Sequence, residues 1–414
     1  MAANIERRGN TWFATLHVPK DVQPILGKSK FFETLKTTDK RIAETRAAPL
    51  VAQWKARIAA ARGQSDPYID SALQWKRDHD TNPAPDVVRS FIEDEARKVA
   101  QAKGSEAGAT FYAIATGAQT PMSTLYTDWA AQLTLAPKTI DQMKKDVKAM
   151  VDHFRTIERV TSASVREWIR DLMQDTPTKQ GYSASSIKRI VGFCRNFWCY
   201  LQEHEKASQD TQPFMVPAAA KKAAAKTTGA KGWIPFLPAE VVKLWREATA
   251  RDDHELADLI HLGMYTGARI EELCSLKVEH CDDSALHIVD AKTHAGIRTV
   301  PIHSAITAKV KALKDASKDG YLISGLTFNK YDDRSNAVGK RFGRLKQALG
   351  FPAGKVFHSI RKTVVTQLEN AGVSENLAAD IVGHEKPRIT YGLYSGGHDL
   401  ATMREALEKL TYPT

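Results

Sequence analysis

The spacing of apolar residues changes several times along the chain, and each change marks an element. Residues 11–18 (TWFATLHV) and 30–35 (KFFETL) are dense in β-branched and aromatic residues, separated by the turn-prone PILGKS. They predict two strands of a small sheet. Asp39 then opens a charged, alanine-rich helix that runs to about Arg62, with Gly63 as its stop. Residues 64–120 carry a weaker helical signal and a small-residue connector, AQAKGSEAGATFYAIATGAQTP. From 121 to 205 the helical period strengthens: Ile140, Met143, Val147, Met150 or Val151, and Phe154 recur at threes and fours along one face. Ser164 with Glu167 reads as a capping box for the helix carrying Trp168, Ile169 and Leu172. A further helix lines up Ile187, Ile190, Cys194, Phe197 and Leu201.

Residues 206–232 interrupt the pattern with Pro, Ala, Gly and Lys and little to bury, the composition of a linker. A new domain begins near Trp233, with a helix after Pro238 and another carrying Leu256, Leu259, Ile260 and Met264. Residues 285–290 and 297–302 predict short strands around the turn AKTHAG, and 399–410 (DLATMREALEKL) a last helix. The fold class is therefore multidomain and mainly α. A small α/β unit (1–62) precedes a helical connector (63–120), a helical domain (121–205), a basic linker (206–232), and a mostly α domain with a small β-hairpin (233–414).

Composition narrows the partners. A chain of 414 residues supports several cores, and its formal net charge of +11 favours a polyanion. Basic residues gather at Arg7 and Arg8 beside the first strands, and at Lys144, Lys145 and Lys148 off the apolar face of one helix. Others are Lys188 and Arg189 on the next helix, and Lys221 and Lys222 in the linker. Taken singly, each group is an ordinary solvated face. Cys194, Cys199, Cys274 and Cys281 form neither a CxxC pair nor a metal-ligand spacing. Three of them lie within apolar-periodic stretches, where buried free thiols are the expectation, and the lack of a disulfide framework fits a reducing cytoplasm. The N-terminal MAANIERRGNTWF lacks a signal peptide's apolar region, and no run approaches the ~18 apolar residues of a membrane span. There is no Walker box and no carboxylate cluster for magnesium, so no metal or cofactor is expected.

The candidate chemistry lies in the C-terminal half. Thr266-Gly267-Ala268-Arg269-Ile270-Glu271-Glu272-Leu273 follows an amphipathic helix. Lys292 sits in the hairpin turn, His358-Ser359-Ile360-Arg361 places two polar groups three apart, and Val382-Gly383-His384 precedes Tyr391 and Tyr394. Side chains three apart share a helix face, so His358 and Arg361 can meet one phosphate. Arginine's planar fork suits bidentate phosphate bonding, and a tyrosine oxygen can form a covalent intermediate.

In this order the motifs resemble those of the tyrosine recombinases, the phage-integrase family: Gly-x-Arg-x-x-Glu-Leu, a hairpin lysine, His-x-x-Arg, and a Leu-Gly-His box with Val in place of Leu. The resemblance implies Arg269 and Arg361 as the phosphate clamp, Lys292 as general acid, and His358 and His384 as phosphate-bonding imidazoles. Lys362 departs from the His more usual after the second arginine. Relatives place the nucleophile about nine residues past the Gly-His histidine. Tyr391 stands seven past His384 and Tyr394 ten past. Tyr394 is preferred because Ser395-Gly396-Gly397 follows it, and Tyr391 remains the alternative.

The resemblance further implies a site-specific integrase of a phage or mobile element. Residues 1–62 would bind arm-type DNA and 121–205 would grip duplex core DNA. The enzyme would work as a homotetramer on DNA through a 3′-phosphotyrosyl link, with a possible directionality factor, in the cytoplasm at the host nucleoid. The rivals are a type IB topoisomerase and a DNA-binding regulator without catalysis.

Overall fold

The computed structural model describes residues 4–20, 22–61, 67–176, 180–215, 233–291, 293–386 and 395–413. The chain forms two compact units, residues 1–221 and 222–414.

The first unit opens with an antiparallel sheet of β1 (Ile5–Arg8), β2 (Thr11–His17) and β3 (Lys30–Thr34), in that order. The two later strands lie where their side chains predict them. β1 is too short and charged to stand out; pairing Ile5 with Ala14 through Arg8 with Thr11 makes it a strand. The PILGKS turn holds one helical turn, α1 (Gln23–Leu26), ended by Gly27 in the left-handed conformation. Asp39 accepts the Arg41 and Ile42 amides at 2.8 and 3.1 Å and so caps α2 (Lys40–Ala61). Trp54 of α2 stacks on Phe31 and closes one face of the sheet.

Three helices follow: α3 (Pro67–Thr81), α4 (Pro85–Lys103) and α5 (Ser105–Ala115). They share a core that includes Val88, Ile92, Phe111 and Ile114. The small-residue run read as a connector is thus largely helix. A β-carbon on Gly108 would stand 2.6 Å from the Ala96 carbonyl oxygen and 2.7 Å from Ala100 Cβ. Small side chains here allow α5 to lie close on α4, an interface that composition alone does not distinguish from a linker.

A third core joins α6 (Met122–Ala131), α7 (Pro137–Phe154), α8 (Ser162–Met173) and α9 (Ala184–Glu203). The anticipated Met143, Val147, Met150, Val151 and Phe154 pack there with Trp129, Trp168, Phe197 and Leu201. The capping box lies three residues earlier than expected. Thr161 Oγ1 accepts the Ser164 amide at 3.1 Å, and Ser164 Oγ accepts the Thr161 amide at 3.0 Å. Ser164 also donates to the Arg159 carbonyl at 2.8 Å, which holds it inside the first turn; Glu167 plays no part in the cap.

The second unit is built around α11 (His254–Thr266), preceded by α10 (Pro238–Ala250). Leu256, Leu259, Ile260, Leu262 and Met264 are all buried, so this helix is apolar on nearly every side. Around it lie α12 (Ile270–Cys274), the hairpin β4 (Ala285–Ile288) and β5 (Arg298–Pro301), α13 (Ser304–Ala316), α14 (Ser335–Ala348), α15 (His358–Asn370), α16 (Glu375–Val382) and α17 (Leu400–Leu407). The tail spends its apolar face on its own domain: Met403, Ala406, Leu407, Leu410 and Tyr412 join the same core. Tyr412 Oη donates to the Met264 carbonyl at 2.8 Å, near the end of α11. Glu408 accepts the Ser304 amide and hydroxyl at 2.7 and 2.6 Å. The architecture is mainly α and multidomain, with a small sheet and a hairpin. Among the described residues no helix is long and apolar enough to cross a membrane.

Candidate active site

Gly267 ends α11 with φ +60°, and the turn it makes delivers Arg269 to the start of α12. That turn is tight. A β-carbon on Gly267 would stand 3.0 Å from Val382 Cγ1 and 3.2 Å from Val364 Cγ1, so α15 and α16 close directly over it. Glu272 accepts the Arg269 amide at 2.8 Å and also bonds the Arg269 guanidinium through Nη1. One carboxylate therefore caps the helix and aims the arginine.

His358 opens α15 and Arg361 follows one turn later, with its side chain buried. Arg361 Nη1 donates to the Gly267 carbonyl at 3.0 Å. Its Nη2 donates to the Gly383 carbonyl at 3.3 Å, and Arg269 Nη2 donates to the same oxygen at 3.3 Å. Arg361 Nε reaches His384 Nε2 at 3.3 Å. Residues from three distant stretches of sequence thus converge on the Gly383 backbone. Gly383 has φ +72°, and a β-carbon there would stand 2.8 Å from Arg298 Nη1 and 2.9 Å from the Ala295 carbonyl oxygen. Only glycine fits between the arginines and the hairpin.

Arg298 was not anticipated. It lies at the start of β5 with its side chain 6% exposed. Arg298 Nη2 pairs with Glu272 at 3.1 Å, and Nε donates to the Ile381 carbonyl at 2.8 Å. Its sequence signal is faint: an arginine in a short strand next to the hairpin turn. What gives it weight is Glu272, a buried acid that would otherwise face Arg269 alone.

The cations outnumber the acid, and the electrostatics follow. Burial first, then Arg361 and Arg269, hold the His358 imidazole below its usual pKa. Partial desolvation, then the same two guanidiniums, pull His384 down to about 4. Burial, then Arg269 and Arg298, lower Arg361 to about 9. Burial pushes the Glu272 carboxyl up, but Arg298 and the bonds from Arg269 outweigh it and leave the group ionised. Near neutral pH the pocket therefore presents cationic guanidiniums, one carboxylate and two neutral imidazoles. The Arg361–His384 contact requires an unprotonated Nε2, which agrees with this state. Such a pocket favours an anion with several oxygens.

Residues 236–398 match the model of the phage integrase family. The C-terminal domain is thus similar to the tyrosine recombinase, or phage integrase, family. A "Tyrosine recombinase XerC-like" protein of Caldanaerobacter subterraneus subsp. tengcongensis is 24% identical over 287 residues, spanning 58% of this chain and 68% of that protein. A lambda integrase dimer bound to a COC′ core site superposes with a TM-score of 0.50 at 14% identity, covering 97% of this chain and 94% of that one; this likeness concerns the fold. The Tn1549 transposon integrase in complex with transposon right end DNA gives a TM-score of 0.48 at 20% identity, covering 69% and 98%. Residues 4–63 match a separate domain of unknown function, DUF6538.

The integrase-family domain brings Arg269, His358, Arg361 and His384 together. Lys292, Tyr391, Tyr394, Lys221 and Lys222 lie outside the described residues. Gly296, just before β5, adjoins the pocket: a β-carbon there would stand 3.3 Å from Arg269 Nη1. In the first unit, Lys145 and Lys188 are exposed on α7 and α9, and Lys144 is half-buried. Lys148 pairs with Asp152 at 2.7 Å, and Arg189 pairs with the buried Asp146 at 2.9 Å, so part of their charge is used within the fold. Arg7 bonds Asn10, while Arg8 pairs with Glu6 and lies 4.3 Å over the Phe32 ring. A further cationic cluster lies on α14, where Lys340, Arg341 and Arg344 line a cavity of about 500 Å³ with Asn329 and Asn336. Its signal was available: KRFGR repeats cations at helical spacing.

Proposed function

We propose that this chain is a site-specific DNA recombinase, the integrase of a phage or mobile element, acting through a 3′-phosphotyrosyl intermediate. The observation that carries the reading is the convergence of Arg269, Arg361 and His384 around the Gly383 carbonyl. Two guanidiniums donate to the non-bridging oxygens of a scissile phosphate, where preorganised donors act on developing charge. Neutral His358 and His384 add hydrogen bonds or move protons. Tyr394 passes its phenol proton to neutral His358 and attacks in line, the bond to the 5′ oxygen breaks as that oxygen takes a proton from Lys292, and a 3′-phosphotyrosyl ester forms. The ester keeps the phosphodiester's energy, so a second 5′-hydroxyl reverses the step and reseals the strand without ATP.

Exchange between two duplexes cuts four strands, each by its own tyrosine, which is the chemical reason to propose a homotetramer on double-stranded DNA. The basic residues of α7, α9, α14 and the linker supply duplex contacts. Residues 1–62 supply a second contact at arm sites, and a directionality factor would act there. The separate sheet unit favours an integrase over a type IB topoisomerase, which has no need to bridge distant sites.

The test is covalent trapping on a nicked duplex that carries the junction sequence of the encoding element. Tyr394→Phe should bind DNA and form no adduct, while Tyr391→Phe should retain adduct. Adduct in the first variant and none in the second reverses the assignment. Binding without adduct by the wild-type protein would make it a regulator instead.

A further inference from the structure

Asp380, on α16, belongs to none of the motifs above, yet three donors meet on its carboxylate. Lys386 Nζ lies 2.7 Å from Oδ1 and 2.9 Å from Oδ2. The His398 amide donates to Oδ2 at 3.1 Å, and His398 Nδ1 lies 2.7 Å from the same oxygen. The Lys386 side chain is only 7% exposed and that of Asp380 19%, which places this ion pair among those that solvent screens least. Burial disfavours the Asp380 anion, but the bonds from Lys386 and His398 outweigh it and keep the carboxyl below its usual range. Gly397, at φ +88°, turns the chain so that the His398 amide faces the carboxylate. A β-carbon on Gly397 would stand 3.5 Å from Oδ2. The Ser-Gly-Gly run, read from sequence as a break before the tail, is here the approach to an anchor.

Lys386 and His398 bracket the stretch that holds both tyrosines, 391 and 394. Asp380 itself sits on the helix that ends at Gly383, the residue whose carbonyl receives Arg269 and Arg361. We infer that Asp380 is the positioning residue for the tyrosine-bearing segment, pinning both of its ends to the helix whose terminal Gly383 carbonyl receives both clamp arginines. This rests on the recombinase reading. An attacking oxygen must lie in line with its phosphate, and a misplacement of about 1 Å costs on the order of 100-fold in rate. A carboxylate that joins the segment's ends to the helix bearing the arginines' shared acceptor holds nucleophile and phosphate in one frame.

The experiment uses the full-length chain with Asp380→Asn, Asp380→Glu and Lys386→Gln. Two readouts are compared: the rate of adduct formation on the nicked junction duplex beside Kd for that duplex, and trypsin cleavage after Arg388 in the free protein. Asp380→Asn should bind DNA as the wild type does and form adduct about 10- to 100-fold more slowly. It should also be cut faster after Arg388, and Asp380→Glu should recover much of both. An adduct rate within about twofold of wild type overturns the inference. Should Asp380→Asn fail to fold, Lys386→Gln, which leaves the His398 bonds in place, is read by the same criteria. If the wild-type protein forms no adduct, the recombinase reading fails, and unchanged trypsin cleavage in the Asp380 variants then overturns the anchor separately.

Discussion

Arg361 shows how a single side chain acquires its role. Its guanidinium is fixed by the Gly267 and Gly383 carbonyls and by His384, so in the proposed reaction it would meet a phosphate already oriented. Lysine keeps a charge there but cannot span three acceptors with a planar fork. Arg361→Lys should therefore bind DNA while adduct formation falls by on the order of 10²- to 10³-fold, and Arg269→Lys should behave alike. Single-turnover trapping with saturating enzyme separates this from weaker binding; near-normal rates in both would remove the arginines from the clamp. The imidazoles give a pH dependence of definite sign. The folded values of His358 and His384 lie below that of an unfolded histidine, about 6.5. Between about pH 4 and 6.5 the unfolded chain binds more protons, so these groups make stability rise with pH and fall as pH drops through that window. A bound phosphate opposes the guanidinium field, raises both values and draws protons in. DNA binding near pH 6 should therefore take up protons, visible as a dependence of calorimetric enthalpy on buffer ionisation heat, with less uptake in His384→Gln. Equal uptake by wild type and variant would place the protons elsewhere.

At the scale of elements, short-range rules account for most boundaries and fail where packing intervenes. Asp39 caps α2 as its side chain predicts, and Gly267 and Gly383 end helices in the left-handed conformation that favours glycine. The tail is different. Its spacing says that one face is apolar but not whose core receives it; Leu407, fully buried, and Tyr412 decide that it is this domain's own. Leu407→Ala should destabilise the monomer by roughly 2–5 kcal/mol, and Tyr412→Phe by about 1 kcal/mol because the Met264 carbonyl loses its donor. Urea midpoints at concentrations where the protein is monomeric provide the measurement. Wild-type midpoints for both variants would mean that the free chain does not seat the tail this way.

Across the whole molecule, the separation of cores sets the test. The N-terminal sheet has its own hydrophobic cluster, as do α3–α5, α6–α9 and the C-terminal domain. Removing residues 1–62 therefore leaves the other cores intact. Such a deletion should keep covalent trapping on the junction duplex and lose integrative recombination between two attachment sites. Parallel loss of both activities would make the sheet part of the catalytic fold rather than a second DNA contact.

The sequence by itself determined what local chemistry controls. Strand-forming runs, helical periods, glycine stops and the order of the basic motifs are all written within a few residues of where they act. That sufficed for a mainly α multidomain chain, for the family resemblance, and for naming Arg269, His358, Arg361 and His384, which the fold places near one another. Only the tertiary structure decided matters that depend on residues distant in sequence. The Gly383 carbonyl became the shared acceptor because α12, α15 and α16 meet there. Arg298 joined the pocket because Glu272 is buried beside it, the small-residue run became a helix because α4 accepts it closely, and Asp380 gained three donors because Lys386 and His398 return to it. Hydrophobic patterns report which face is buried; they carry no record of the partner, since burial favours any apolar surface alike.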